Sequence, residues 1–280
     1  MQIALAFYTF FGLIIGSFLN VCIYRIPLRK SVVSPRSACP HCGNPIRPYD
    51  NIPVLSYLLL RGKCRGCGEP ISIQYPIVEL LTGAAFFACA WKWNFAPPTF
   101  INTLLLSIVI ILIFTDYRHR ILPNVLTLPG LVAGILLSPF QDISYYDDVL
   151  SKLGASLLWP SDFLTVLPWA GSIVGAIVGA VPLFVIGIVY EKLRKRQGLG
   201  MGDVKMMAMV GGFLGCRIAF LTILAGSLLG TIVGVFLMIS RNMNLQSKLP
   251  LGVFLGIATA LLLFYGLPFW DWYYHLNVPR

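Results

Sequence analysis

Leu104-Leu105-Leu106-Ser107-Ile108-Val109-Ile110-Ile111-Leu112-Ile113-Phe114-Thr115-Asp116 is the centre of an apolar run over 99–116 that ends on an acid and is followed at once by Arg118, His119 and Arg120. A helix that crosses a bilayer needs about 20 mainly apolar residues, so the run reads as a membrane span with a basic boundary. Similar runs over 3–24, 77–95, 121–138, 168–190, 204–215, 218–239 and 251–268 predict about eight spans in all. Composition agrees. Of 280 residues, 57% are hydrophobic and 11% are charged, against roughly 25% charged in soluble domains, and the mean hydropathy is +0.79. Such a chain is neither disordered nor, with seven cysteines, a secreted disulfide scaffold. The expected fold class is an all-α polytopic membrane protein with a small zinc-ribbon-like module.

Lys and Arg orient the spans. Seventeen of the 21 fall in the connections 25–75, 117–120, 191–205 and 240–250, and only Lys92, Lys152, Arg217 and Arg280 fall on the other side. By the positive-inside rule the first set is cytoplasmic, which puts both termini outside and leaves 139–168 as the long external connection. The first span carries no basic residue before its apolar run, so it reads as a retained helix and not a cleavable signal. Three regions follow: 1–24 as a first membrane helix, 25–75 as a cytoplasmic module, and 76–280 as a membrane core.

The module contains Cys39-Pro40-His41-Cys42-Gly43 and Cys64-Arg65-Gly66-Cys67-Gly68. Two CxxC turns can place four thiolates around one ion, so Cys39, Cys42, Cys64 and Cys67 are expected to hold a structural Zn2+. About fifty residues bury little core, and the metal would supply the missing folding energy. His41 is read as a spacer. Cys22, Cys89 and Cys216 fall in or at the ends of apolar runs and read as small packing residues.

Ionisable groups in membrane spans are costly and point to function. Asp116 ends the third span, Asp203 opens the sixth and Glu79 lies in the first turn of the second. All three fall at cytoplasmic ends, so they can converge at one depth where the helices pack together. Two neighbouring carboxylates share a proton and suit water attack on a peptide bond, one taking the water's proton while the other polarises the carbonyl. Helix polarity makes the pair unequal, with Asp116 at a helix C-terminus as the polarising partner and Asp203 at an N-terminus as the base. Each acid also has a structural reading: Asp116 pairing with Arg118 or Arg120, Asp203 as an N-cap, Glu79 as a helix N-terminal carboxylate. Gly198, Gly200 and Gly202 alternate before Asp203 and would let a substrate strand approach closely.

The chain resembles the type IV prepilin peptidases, membrane aspartic enzymes of the GxGD class. The likeness is carried by Gly16-Ser17-Phe18-Leu19-Asn20-Val21, Arg25-Ile26-Pro27, the paired CxxC module, Tyr75-Pro76 with Glu79, Asp116 with Leu122-Pro123-Asn124, and Gly200-Met201-Gly202-Asp203-Val204-Lys205. The resemblance implies cleavage of the basic leader from prepilins and pseudopilins at the cytoplasmic face of the bacterial inner membrane. It further implies methylation of the new N-terminus from S-adenosylmethionine. On it, Asp116 and Asp203 are the catalytic pair and the four cysteines are the metal ligands, with no residue assigned to the methyl donor. Gly200, Gly202 and Lys205 are candidates for the substrate loop, and Glu79 is a candidate for methyl transfer, cofactor contact or substrate binding. The family's Pro-Phe-Gly-Pro before the last span stands here as Pro250-Leu251-Gly252-Val253. No strand-turn-helix pattern marks a methyl-donor cradle.

Other functions use the same features. Acids in a helical bundle can carry protons or cations, with the zinc module as a docking device, and a GxGD protease can cut other membrane segments. A net charge of +10 beside a zinc ribbon would suit nucleic acid, but topology accounts for most of it, so the expected partners are pilin-like substrates and membrane lipid.

Overall fold

The computed structural model describes residues 1–141, 168–195, 200–241 and 249–277. Most of the 139–168 connection, Gly198 and Lys152 lie outside them, as does Arg280. The described residues form eight helices: α1 Gln2–Arg25, α2 Leu55–Leu59, α3 Gln74–Trp93, α4 Pro97–His119, α5 Asn124–Leu137, α6 Pro168–Arg194, α7 Met201–Arg241 and α8 Leu251–Asn277. Two short 3-10 turns, Pro48–Asn51 and Ser138–Phe140, accompany them, and the described residues form no strand. Each stretch expected to span is helical over most of its described part, and five helical segments are long and apolar enough to cross a membrane: Gln2–Arg25, Pro97–His119, Trp169–Arg194, Met201–Ser240 and Leu251–Phe269.

The expected count of eight differs from this for physical reasons. The 77–95 run sits in α3, which also carries Gln74, Glu79 and Lys92. The 121–138 run starts late, at Asn124, because Pro123 is extended at the N-cap (φ −65°, ψ 127°). The runs 204–215 and 218–239 are two parts of α7 joined through Gly215, whose φ of 72° and ψ of 178° are not helical.

The helices are apolar outside and more polar within. On α1, Phe7, Phe10, Phe11 and Phe18 face outward, as lipid-facing side chains do. On α4, Thr103, Ser107 and Thr115 are buried and each returns its hydroxyl to a carbonyl one turn earlier, at 3.0, 2.7 and 2.9 Å. That local bond satisfies a polar group where no water is available.

The chain divides into two compact units, Met1–Thr115 and Asp116–Arg280. In the first, α1 lies against α3 so closely that a Cβ on Gly16 would stand 2.7 Å from the Glu79 Cα. Farther along the same contact, Tyr8 packs on Phe86 with ring centroids 5.0 Å apart and shares a 3.0 Å hydroxyl bond with Thr103 of α4. In the second unit, α7 is the centre, with Met206, Met207, Met209, Phe213 and Leu214 buried along it. Gly175 of α6 meets Gly211 of α7 backbone to backbone, the small-residue contact by which membrane helices approach.

Candidate active site and thiol cluster

The thiols of Cys39, Cys42, Cys64 and Cys67 all lie within 4.8 Å of one another. Two turns of the same construction present them. Cys39 N–H bonds to Asn44 O and Gly43 N–H to Cys39 O, while Cys64 N–H bonds to Glu69 O and Gly68 N–H to Cys64 O, all at 2.8–2.9 Å. Ala38 bridges Pro45 as Lys63 bridges Pro70, and Gly43 and Gly68 both have φ +73°, a left-handed corner that glycine takes without strain. The two turns are local copies of each other. Zinc–sulfur bonds of about 2.3 Å in a tetrahedron would put sulfurs about 3.8 Å apart, and Cys39 and Cys67 Sγ are 3.8 Å apart.

The thiols are unequal. Backbone N–H groups of Cys42 and His41 hold Cys39 down to about 7. Cys67 is relieved by the Glu69 N–H, but burial and the crowding of the other three sulfurs push it up to about 12. Four thiolates cannot share so small a space without a cation, and the donor set fits a divalent metal. Outside the cluster, the Arg65 guanidinium forks onto Asp50 at 2.7–3.1 Å, holding its carboxyl below the usual range. The Arg65 guanidinium also lies 5.6 Å from the Tyr49 ring centre. His41 is exposed and outside the cluster, as a spacer should be.

Asp116 is 6% and Asp203 9% exposed. They are near enough for one charge to act on the other. Asp203 is the third residue of α7, where its N–H reaches back to Gly200 O at 3.1 Å. Gly200 precedes the helix, so Asp203 is a first-turn residue and not the N-cap. Asp116 ends α4, but its carboxylate meets the start of α8: Val253 N–H donates to Oδ2 at 3.2 Å, and Gly252 N–H joins it. Both acids therefore stand at helix N-termini. Asp116 in the last turn of α4 and Asp203 in the first turn of α7 stand at the expected helix ends, but the N–H groups at the start of α8 offset the C-terminal setting of Asp116. No ion pair ties Asp116 to Arg118 or Arg120 among the described residues.

Leu122 ties the two acid-bearing segments together. A Cβ on Gly202 would come within 2.8 Å of Leu122 Cβ, and one on Gly252 within 2.8 Å of Asp116 Oδ2 and 3.1 Å of Leu122 Cδ1. Nearby, Lys205 Nζ donates to Asn124 Oδ1 at 3.0 Å. The sequence offers Gly200, Gly202 and Lys205 as site candidates, whereas Leu122, Gly252 and Val253 appear in its motifs without a role. A glycine in the first turn of the last helix was the available signal.

Glu79 belongs to the other unit. It is the sixth residue of α3, since the helix reaches back to Gln74 with Pro76 tolerated in its first turn. It is thus not at a helix N-terminus. Its Oε2 accepts the Val54 N–H at 2.8 Å, and Ser17 is a second hydrogen-bond partner.

Paired carboxylates buried in a polytopic helical protein define a membrane protein equipped for aspartic-type hydrolysis. The chain belongs to the type IV leader peptidase family, whose profile matches residues 103–235, and residues 10–93 match the bacterial peptidase A24 N-terminal domain. Similar proteins named prepilin leader peptidase/N-methyltransferase include one from Myxococcus xanthus, 39% identical over 82% of this chain and 62% of its own length. One from Aeromonas hydrophila is 33% identical over 94% of this chain and 91% of its own. One from Pseudomonas aeruginosa is 33% identical over 91% and 88%. No solved structure gives a significant match.

Proposed function

We propose that the chain removes the leader from type IV prepilins or pseudopilins, with Asp116 and Asp203 as its catalytic pair, at the cytoplasmic face of the bacterial inner membrane. The observation that carries the reading is the meeting of the two buried carboxylates in a chain of this family. One carboxylate takes a proton from water, and the hydroxide equivalent adds to the scissile carbonyl. The protonated partner donates to the carbonyl oxygen, and the proton held by the first then goes to the leaving amine as the C–N bond breaks. Gly200, just before α7, and Gly202 and Lys205 in its first turns are the candidates for substrate contact beside Asp203. Gly200 leaves room for an extended strand, whereas the space beside Gly202 is taken by Leu122.

On the same reading all eight apolar stretches cross the bilayer, residues 25–75 form the cytoplasmic module and both termini lie outside. The seventeen basic residues of the cytoplasmic connections support it. Cys39, Cys42, Cys64 and Cys67 hold Zn2+ in a closed tetrahedral site that leaves no position for water, so the metal is structural. S-adenosylmethionine supplies the methyl group for the N-methylation named in the relatives. No strand-turn-helix cradle for it exists among the described residues, so another arrangement holds the donor.

The deciding experiment incubates the purified membrane protein with a full-length prepilin and reads leader loss by mass spectrometry. Cleavage by the unmutated protein and none by Asp116→Asn or Asp203→Asn is expected. Cleavage surviving either substitution overturns the pair.

A further inference from the structure

Two buried groups of the first unit lack the same kind of partner. Asn20 of α1 is 3% exposed, and its amide NH2 donates to Gly16 O at 3.3 Å and Tyr75 O at 3.1 Å. Two carbonyls fix which end is the NH2, so Oδ1 points the other way, buried and accepting no hydrogen bond from a described residue. Glu79 of α3 is 7% exposed. It takes N–H and hydroxyl donors from Val54 and Ser17, which leaves part of the roughly four acceptor positions of a carboxylate open. No Lys, Arg or His among the described residues pairs with it.

The two groups are neighbours. Gly16 faces Glu79 across the tight α1–α3 contact, and Asn20 is one turn farther along α1, against Tyr75, which is one turn earlier on α3. One turn is about 5.4 Å, and an ammonium nitrogen with two tetrahedrally directed bonds of about 2.8 Å spans about 4.6 Å, a separation that side-chain rotation at the two positions can reach. A buried carboxylate without a cation and a buried amide oxygen without a donor are each costly. Their common complement is a positively charged donor. A divalent metal fits poorly, because calcium takes six to eight oxygens and magnesium a near-octahedral set. The loop that closes over Glu79 is held in a strained shape: Val54, β-branched, has φ +60°, a conformation that persists only when the surroundings impose it.

We propose that Asn20 Oδ1 and the Glu79 carboxylate form the site for a primary ammonium group, the acceptor amine of N-methylation. The inference rests on the leader-peptidase reading, since hydrolysis of a peptide bond creates a new N-terminal amine. Asn20 orients the ammonium. Glu79 accepts the proton that the ammonium must give up; with a sulfonium methyl donor bound, the freed lone pair would form the N–CH3 bond as the donor's S–CH3 bond breaks and leaves a neutral thioether.

The test uses the full chain in nanodiscs and a short apolar peptide, once with a free N-terminal amine and once N-acetylated, with binding read by fluorescence anisotropy and no methyl donor present. The free-amine peptide is expected to bind at least tenfold tighter. Glu79→Gln and Asn20→Leu, checked for folding by size exclusion and thermal melting, should each lose that preference. Equal binding of the two peptides to the unmutated protein overturns the proposal without any variant, as does an intact preference in both folded variants. Leader cleavage of a prepilin by the same preparation is scored separately. A protein that cleaves but ignores acetylation refutes the amine site alone, whereas one that does not cleave refutes the leader-peptidase reading.

Discussion

The backbone N–H of Val253 donates to the carboxylate of Asp116 at 3.2 Å, across more than a hundred residues of chain, so that the acid at the end of α4 caps the beginning of α8. The first N–H groups of any helix lack partners within it, and here a side chain from another helix supplies one. The related family motif has proline at this place, which has no N–H to give.

Val253→Pro should be tolerated, because proline fits the first turn of a helix and Gly252 keeps its own bond to Asp116. We expect kcat/KM for leader cleavage within about tenfold of the unmutated value, the worth of one charge-assisted hydrogen bond at its low end. Gly252→Ala should be far worse, since its Cβ would stand 2.8 Å from Asp116 Oδ2. Steady-state cleavage of a prepilin compares the two. Equal effects would remove the close approach as the cause.

Asp116→Asn and Asp203→Asn should each lower cleavage by about a thousandfold or more, in the range of acid–base catalysis. Combining them should cost nothing further, because two groups that act as one unit are not additive. The check is single-turnover cleavage with thermal melting beside it. A double variant much slower than either single would mean that the acids work independently.

Gly202→Ala should lose cleavage through Leu122, whose Cβ would be 2.8 Å away. The clash is with that atom, so Leu122→Gly in the same chain should recover part of the activity, whereas Leu122→Ala, which keeps the Cβ, should not. Rescue by neither would place the requirement for glycine in the substrate and not in Leu122.

Metal analysis should return one zinc per chain. Cys64→Ser should abolish stoichiometric zinc and make 25–75 sensitive to protease while the aspartate pair remains in place. A strong chelator should do the same to the unmutated protein. Zinc-free protein with a protease-resistant module would overturn the metal site.

Much of this was legible in the sequence for a plain reason: membrane helices announce themselves by long apolar runs, and four thiols in two CxxC turns need no partner beyond the other pair. The acids were legible because a carboxylate among leucines is conspicuous. What escaped was relational. Asp116 looked like a C-terminal residue because the sequence displays α4 alone, and nothing in residues 114–120 announces that Gly252 and Val253 arrive beside them. Glu79 looked like a first-turn residue because apolarity begins near Ile77, whereas the helix begins at Gln74. The eight expected stretches and the five long apolar helices differ in number in part because two of the stretches, 204–215 and 218–239, lie in one element kinked at Gly215.

The two matching thiol turns also act as a buckle. With a metal ion held there, four sulfurs would close the chain between Cys42 and Cys64 into a loop fastened at both ends, and Val54, strained and bonded to Glu79, lies near its middle. Closing such a loop removes entropy from the open chain, so the strain at Val54 would be borne by the fastening and not by the few bonds Val54 makes. Unfastening the metal would let Val54 relax and withdraw its N–H from Glu79. An ion with no part in the chemistry would then govern whether a carboxylate elsewhere in the unit keeps its shape.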